Sequence, residues 1–223
     1  MNCVLCKTAR PRRYCPAAQG DICSVCCGSE REVSLNCPLE CEHLRQARGR
    51  DRERRTPPAP EQYPNRDIQL TEAMFQELAP LIAFAGSAIA SAAIRTPGAN
   101  DGDAREAIQA LVRTYRTLQS GVYYESAPSN PLALPIFQAA QRAAAEFQAA
   151  EKQQLGISRT RPATILGAFA FLERMEFEAN NGRPRSRAFI QMLTEFGPGY
   201  ATEDSGEGAL PGASSHSGRS GAP

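Results

Sequence analysis

The sequence predicts a mainly α-helical protein in which a small N-terminal cysteine-rich module with little regular structure precedes an all-α bundle of about five helices and a disordered tail. Three observations lead to this prediction. All eight cysteines of the 223-residue chain lie between Cys3 and Cys41. Apolar residues recur at intervals of three and four across residues 67–197, the period of helices with one buried face. Residues 198–223 are rich in Gly, Ser, Ala and Pro, a composition typical of disorder.

The spacing of the cysteines indicates metal binding. Two CxxC pairs are each short enough for both sulfurs to reach one ion, and tetrahedral zinc takes four such ligands. The N-terminal residues show no secretory signal, so we expect a cytoplasmic location, where close thiols hold metal more often than they form disulfides. Eight thiolates suit two structural zinc ions. The predicted ligands are Cys3, Cys6, Cys15, Cys23, Cys26, Cys27, Cys37 and Cys41, with His43 as a spare ligand that could replace Cys41.

Two assignments of ligands to ions are open. In an extended chain the neighbours Cys26 and Cys27 would point to opposite sides, which favours different ions. Pro is favoured at the first helical position, so Cys37 would be a helix N-cap and Cys41 would lie one turn in, where the helix favours thiolate. The interleaved assignment gives one ion Cys3, Cys6, Cys23 and Cys26, and the other ion Cys15, Cys27, Cys37 and Cys41. The sequential assignment gives the first four cysteines to one ion and the last four to the other.

Three short segments also carry a family resemblance: Cys3-Val4-Leu5-Cys6, Tyr14-Cys15-Pro16 and Ile22-Cys23-Ser24-Val25-Cys26. They resemble the opening of HIT-type and MYND-type zinc fingers, families that bind two zinc ions in a cross-braced way and serve mainly as protein-interaction modules. The resemblance covers residues 3–26, and it implies interleaved zinc sites and a protein partner. The elements around residues 26–28 and 37–41 resemble those of small bacterial zinc-binding proteins.

Other chemistries fit the cysteines less well. An iron–sulfur cluster needs four cysteines at a ferredoxin-like spacing, which the chain lacks. A catalytic zinc keeps one open position and usually takes His or carboxylate ligands, whereas His43 is the only nearby imidazole. A thiol redox sensor centred on Cys23–Cys27 is a further alternative. The module is too small to fold by apolar burial alone, so metal binding would supply its folding free energy.

A basic stretch follows the cysteines. Residues 44–55 contain six arginines against two acids, a run that can contact nucleic-acid phosphates but also fits a solvated helix end. Residues 1–66 hold 12 Lys and Arg against 8 Asp and Glu, and two zinc ions with eight thiolates would bring this positive excess near zero. General attraction for nucleic acid is thereby weakened. The candidate nucleic-acid contacts within Arg45–Arg55 are Arg48, Arg50, Arg52, Arg54 and Arg55.

Composition divides the chain into four parts. Residues 1–45 form the metal module, and residues 46–66 form the end of an Arg-rich helix and a stiff Pro-rich linker that sets the module apart. Residues 67–197 form the bundle, and residues 198–223 form the tail. Five helices are predicted in the bundle, near residues 67–94, 103–122, 131–155, 162–179 and 186–196, with a kink or restart at Pro80.

The predicted bundle contains an uncharged stretch of 17 residues, Leu78–Ile94. It is rich in Ala, Ser and Gly and shorter than the ~20 strongly apolar residues of a membrane span. We therefore expect a buried central helix and no membrane partner. The net charge of +1 also gives the whole chain no general attraction to a membrane surface.

The bundle carries no recognisable catalytic constellation. Residues 67–197 contain neither His nor Cys, which excludes Ser–His and Cys–His catalysis there, and they lack phosphate-loop and zinc-protease motifs. The predicted function is a non-enzymatic zinc protein that acts through a protein partner, with a nucleic-acid-binding regulator and a thiol redox sensor as alternatives. Candidate partner contacts are Tyr115, Arg116, Tyr123 and Tyr124 near one joint, and Arg183, Arg185 and Arg187 near another.

Overall fold

The computed structural model describes residues 2–122 and 124–196. Within these ranges the chain is mainly helical, with seven α-helices and one two-stranded sheet. The predicted disorder of residues 198–223 lies outside the described residues, as does Tyr123.

The N-terminal module is built from a short hairpin and two helices. Strand β1 (Arg13–Cys15) pairs antiparallel with β2 (Gly20–Ile22). A single 3-10 turn joins the strands and ends at Gln19, whose φ of 49° lies in the left-handed region. Helix α1 (Ser24–Glu30) follows β2 directly, and helix α2 (Glu42–Arg54) begins after a loop.

Two local expectations for this module are wrong. Cys26 and Cys27 lie within α1 and not in an extended segment, because the Cys23 thiol caps the helix by accepting a hydrogen bond from the Cys26 N–H at 3.4 Å. Helix α2 has Cys41 as its N-cap, whereas the sequence predicted Cys37. The Cys41 N–H donates to the Pro38 carbonyl at 3.1 Å, so the residues between form a separate turn, and the fixed φ of proline suits such a turn as well as a helix start.

Five helices follow the linker in the part of the chain that the structure describes. They are α3 (Glu72–Arg95), α4 (Asp101–Gln119), α5 (Ala133–Leu155), α6 (Pro162–Ala179) and α7 (Ala188–Phe196). Helix α3 continues through Pro80, so no new helix starts there, in contrast to the predicted restart. Its neighbours Leu78 and Leu81 are buried, and the packing of this helix face outweighs the missing backbone donor.

Local sequence signals set the helix ends. Helix α4 begins at Asn100, whose side chain accepts from the Gly102 N–H at 2.8 Å while the Asp103 carboxylate accepts from the Asn100 N–H at 2.8 Å. Helix α5 ends at Gly156, which has a φ of 76° that favours glycine. Helix α6 begins with Pro162 at its first position, where a missing N–H costs nothing.

The core of the bundle lies where α3 packs against α5, α6 and α7 and where α4 packs against the same three helices. Helix α3 has the length and apolar composition that a membrane-crossing helix needs, and 56% of its most apolar window is buried inside the bundle. Phenylalanine, leucine and isoleucine supply the largest fully buried side chains of the bundle, among them Phe137, Phe169, Phe189, Leu81, Ile89, Ile108, Leu111, Ile136, Ile165 and Leu172.

The N-terminal module lies against the loop between α6 and α7. The guanidinium of Arg183 donates to the carbonyl of Arg31, and the Arg185 N–H donates to the carbonyl of Glu32 at 2.9 Å. Leu39 packs against the bundle core. The Pro-rich linker therefore joins two parts of the chain that contact each other.

Candidate metal centre

Four cysteines from two separate segments bring their sulfurs together. The Sγ atoms of Cys3, Cys6, Cys23 and Cys26, called here the outer group, all lie within 4.8 Å of one another. Four thiolates around one zinc ion stand about 3.8 Å apart at a Zn–S distance of about 2.3 Å, so the outer group fits a single tetrahedral ion. This is the set that the interleaved assignment gave to one ion. The sequential assignment, which placed Cys15 in this set, does not match the observed grouping.

Backbone N–H groups surround these sulfurs. The Ala9 N–H donates to Cys6 Sγ at 3.5 Å, and the Cys23 N–H donates to Cys3 Sγ at 3.3 Å. The tight turn after Cys3 is completed by Lys7, whose N–H donates to the Cys3 carbonyl at 2.8 Å and whose φ is 62°. N–H donors aimed at sulfur favour the thiolate, which is the form that binds metal.

The pKa values of the outer group show that its thiols do not all ionise on their own. Hydrogen bonds from the Thr8 side chain and then from the Ala9 backbone lower the pKa of Cys6 to about 5. The hydrogen bond with Cys23, and then burial, raise the pKa of Cys26 to about 12. Neighbouring thiolates repel one another, and a bound divalent cation would remove the proton that remains. The donor set therefore fits a metal ion.

The other four cysteines, called here the inner group, line a separate small cavity. Cys15 lies at the end of β1, Cys27 lies in α1, and Cys37 and Cys41 flank the turn before α2. The cavity encloses about 20 Å³, which is room for one particle the size of a water molecule. Among the described residues, only the outer group has all its ligand atoms within 4.8 Å of one another.

The pKa of Cys37, a member of the inner group, is shifted by its surroundings. Burial raises the pKa of the Cys37 thiol, and a hydrogen bond from the Glu32 N–H opposes this rise. The negative charge of Glu32, and then those of Cys15 and Cys41, also raise the pKa of Cys37. His43 is exposed in the first turn of α2 and lines the same cavity, so its part as a spare ligand stays a prediction.

The five arginines predicted to contact nucleic acid differ in their surroundings. The Arg48 guanidinium donates to the Glu32 carboxylate and to the Gln191 side chain. The Arg55 guanidinium donates to the Glu178 carbonyl. Arg50, Arg52 and Arg54 are exposed to solvent. Two of the five arginines predicted to contact nucleic acid therefore bind other parts of the chain.

The predicted partner contacts near the α4–α5 joint are partly internal. Tyr115 is half-buried and its ring lies 5.7 Å from that of Phe169. The Arg116 guanidinium pairs with Asp67 and lowers the pKa of that carboxyl. Tyr124 is exposed.

The arginines of the α6–α7 loop contact the N-terminal module. Besides the Arg183 and Arg185 contacts described above, the Arg185 guanidinium donates to Asn36 Oδ1 at 3.0 Å. The Arg187 N–H donates to the Glu32 carboxylate at 3.2 Å. The three arginines predicted as a partner surface thus lie at a contact within the chain.

Sequence reasoning missed two buried carboxylates. Glu32 is 2% exposed and lies at the contact between the module and the bundle. Glu176 in α6 is 1% exposed and accepts two hydrogen bonds from Arg105 in α4, at 2.6 and 2.7 Å. The Arg105–Glu176 pair lines a cleft of about 860 Å³ below the Pro-rich linker. No spacing in the sequence marks either carboxylate, because each partner is distant in the chain.

Comparison with known proteins assigns no family to the chain, since no family model, curated protein or solved structure matches it.

Proposed function

We propose that this is a cytoplasmic, non-enzymatic interaction protein whose N-terminal module is shaped by two structural zinc ions. The observation that carries the proposal is the outer group, in which four thiols converge within 4.8 Å. A set of four cysteines closes the coordination sphere of zinc, as structural sites do, and leaves no open position for a substrate.

A second zinc ion would bind the inner group. Its four cysteines, with His43 beside them, line one cavity and come from three separate segments of the module. A metal bound there would tie β1 and α1 to the start of α2. The module has few other means of holding these segments, because its own buried cluster consists of Ile22 and three cysteines.

Apolar side chains around the outer group support a protein partner. Val4 and Leu5 lie between the first two ligands, and Val25 lies between the second two. Their exposed fractions are 40%, 37% and 75% respectively. Exposed apolar side chains that form one patch mark contact surfaces between proteins, and these three flank one group of ligands.

Native mass spectrometry of protein purified without added metal tests the metal part of the proposal. We expect two zinc ions per chain, one of which is lost in Cys6→Ser and the other in Cys37→Ser. A single ion together with disulfide-bonded inner cysteines would contradict the two-zinc proposal. It would favour the thiol redox sensor instead.

A surface substitution tests the interaction part. Val25→Glu should keep both zinc ions, because Val25 is exposed and is not a ligand, but it should abolish binding of any protein that wild type binds stoichiometrically. Ile157→Glu is the matched control, since Ile157 is 62% exposed in the α5–α6 loop. Equal binding by wild type and Val25→Glu would show that the apolar side chains around the outer group do not contact the partner.

A nucleic-acid-binding role is a second candidate because Arg50 and Arg54 are exposed one helical turn apart on α2. It predicts duplex binding that weakens steeply with salt and is reduced in the double variant Arg50→Ala/Arg54→Ala. Arg142→Ala, at an exposed position on α5, is the control. Absence of binding to a duplex at low salt would eliminate this candidate.

A further inference from the structure

The outer and inner groups differ in what their intervening residues contact. Between the outer ligands, the apolar side chains face solvent. Between the inner ligands, two residues contact the bundle or the loop attached to it. Glu32, between Cys27 and Cys37, is buried at the contact with the α6–α7 loop, and Leu39, between Cys37 and Cys41, packs against the bundle core. The inner group is therefore the one joined to the bundle.

The Glu32 carboxylate accepts from three donors, one on α2 and two in the α6–α7 loop. The Arg48 guanidinium donates to it from α2, and the Arg187 N–H at 3.2 Å and the Asn181 side-chain amide at 3.0 Å donate from the loop. A buried carboxylate that lost these donors would lack compensation for its charge. Its position is consequently well determined.

The backbone of Glu32 links the same contact to the inner group. Its φ of 57° is uncommon for a residue with a side chain, so the surrounding contacts must hold it there. Its carbonyl accepts from the Arg185 N–H at 2.9 Å, and its N–H lies on the side of the Cys37 thiol, whose pKa it lowers. One residue thus connects a candidate metal ligand to the α6–α7 loop.

The α6–α7 loop in turn contacts the bundle through Asp101, at the start of α4. The Asp101 carboxylate is buried and accepts from the Ser186 hydroxyl at 2.7 Å and from the Phe189 N–H at 3.1 Å. The Asp101 N–H donates to the Ser186 carbonyl at 2.8 Å. The loop is therefore held from one side by Glu32 and from the other by Asp101.

We propose that the metal ion of the inner group holds the N-terminal module against the bundle, an arrangement called here the lock. The contacts of Glu32, called here the latch, transmit this effect, so that metal availability controls the solvent exposure of residues 180–196. The inference rests on the second ion of the proposed function. With the ion bound, Cys37 fixes the Glu32 peptide and the carboxylate reaches its donors. When the ion leaves, Glu32 loses this anchor and the α6–α7 loop opens to solvent. The ion of the outer group has no such effect, because its intervening side chains contact solvent.

Hydrogen exchange of the full chain, followed by mass spectrometry, tests the lock. Chelation of zinc, or Cys37→Ser, should raise amide exchange rates across residues 180–196 by at least about tenfold, since local opening exposes these amides. Cys6→Ser should leave them within about twofold of wild type. Unchanged exchange in a Cys37→Ser protein that has lost one ion would overturn the lock while the two-zinc proposal stands.

The variant Glu32→Gln separates the latch from metal binding. It changes neither a cysteine nor the backbone, so both ions should remain bound, yet exchange across residues 180–196 should rise because the ion pair with Arg48 is lost. Arg45→Ala is the control, since Arg45 forms an exposed pair with Glu42 on the same helix. This arm decides the question even if Cys37→Ser does not fold. Exchange in Glu32→Gln equal to that of wild type would overturn the latch, and failure to find a second ion would overturn the proposed function as well.

Discussion

Arg48 and Glu32 form a buried ion pair between α2 and the loop that follows α1, with 11% and 2% of their side chains exposed. The pair joins two segments of the N-terminal module at the place where that module meets the bundle. Because both charges are withdrawn from water, each depends on the other for compensation. The stability of this contact should therefore respond to a change in either residue.

Arg48→Met should lower the free energy of unfolding by about 3–5 kcal/mol, because it leaves the Glu32 carboxylate buried without its cation. Methionine retains most of the apolar stem of arginine, so lost packing contributes little. Urea denaturation followed by circular dichroism measures the change. The exposed Arg45–Glu42 pair provides the comparison, and Arg45→Ala should change stability by no more than about 0.5 kcal/mol. Equal effects of the two variants would contradict the burial of the pair.

Glu176 should make stability depend on pH. Burial raises its pKa above the usual 4.5, although the hydrogen bonds from Arg105 oppose the rise. Between the unfolded-state pKa and the raised folded-state pKa, the folded chain holds a proton that the unfolded chain has released, so the free energy of unfolding falls as pH rises. Denaturation of wild type and Glu176→Gln from pH 4 to 8 should show a smaller fall in the variant. Parallel pH profiles would show that Glu176 does not titrate in this window.

The pairing of the CxxC sulfurs and the helices of the bundle could be predicted because both depend on local geometry. Two CxxC turns fix pairs of sulfurs regardless of the rest of the chain, and the outer group consists of those two pairs. Apolar residues at intervals of three and four likewise predict a helix by themselves. The described residues after the linker are mainly helical, as the sequence predicted.

The contacts of Glu32 with the α6–α7 loop could not be predicted because they join residues about 150 positions apart. Its donors include Arg187 and Asn181, which lie in a loop that the sequence marked only by its arginines. The same distance hid the contact of Arg183, a predicted partner residue, with the carbonyl of Arg31. Tertiary packing also overrode local propensity at Pro80, where the helix continues.

Gly86 should tolerate no large side chain, because α3 approaches α7 closely there. A Cβ at this position would lie 3.2 Å from Leu193 Cδ2 and 3.7 Å from Leu172 Cδ2. Gly86→Val should therefore destabilise the bundle by about 1–3 kcal/mol through overpacking. In contrast, a Cβ at Gly49 in α2 would meet nothing within 4 Å, so Gly49→Ala should stabilise by about 0.5–1 kcal/mol through its higher helix propensity. Thermal denaturation distinguishes the two, and stabilisation by Gly86→Val would contradict the close approach.

Complete removal of metal should unfold the N-terminal module and leave the bundle folded. The module's buried cluster contains Ile22 and three cysteines, whereas the bundle has its own large apolar cluster that includes no cysteine. Without metal, the thiol cluster loses the interaction that offsets the entropy of ordering this small segment. Circular dichroism after dialysis against a zinc chelator should retain most of the helical signal, while limited proteolysis should cut within residues 2–41. Readdition of zinc under reducing conditions should restore protection. Persistent protease resistance of metal-free residues 2–41 would show that the module folds without its ions.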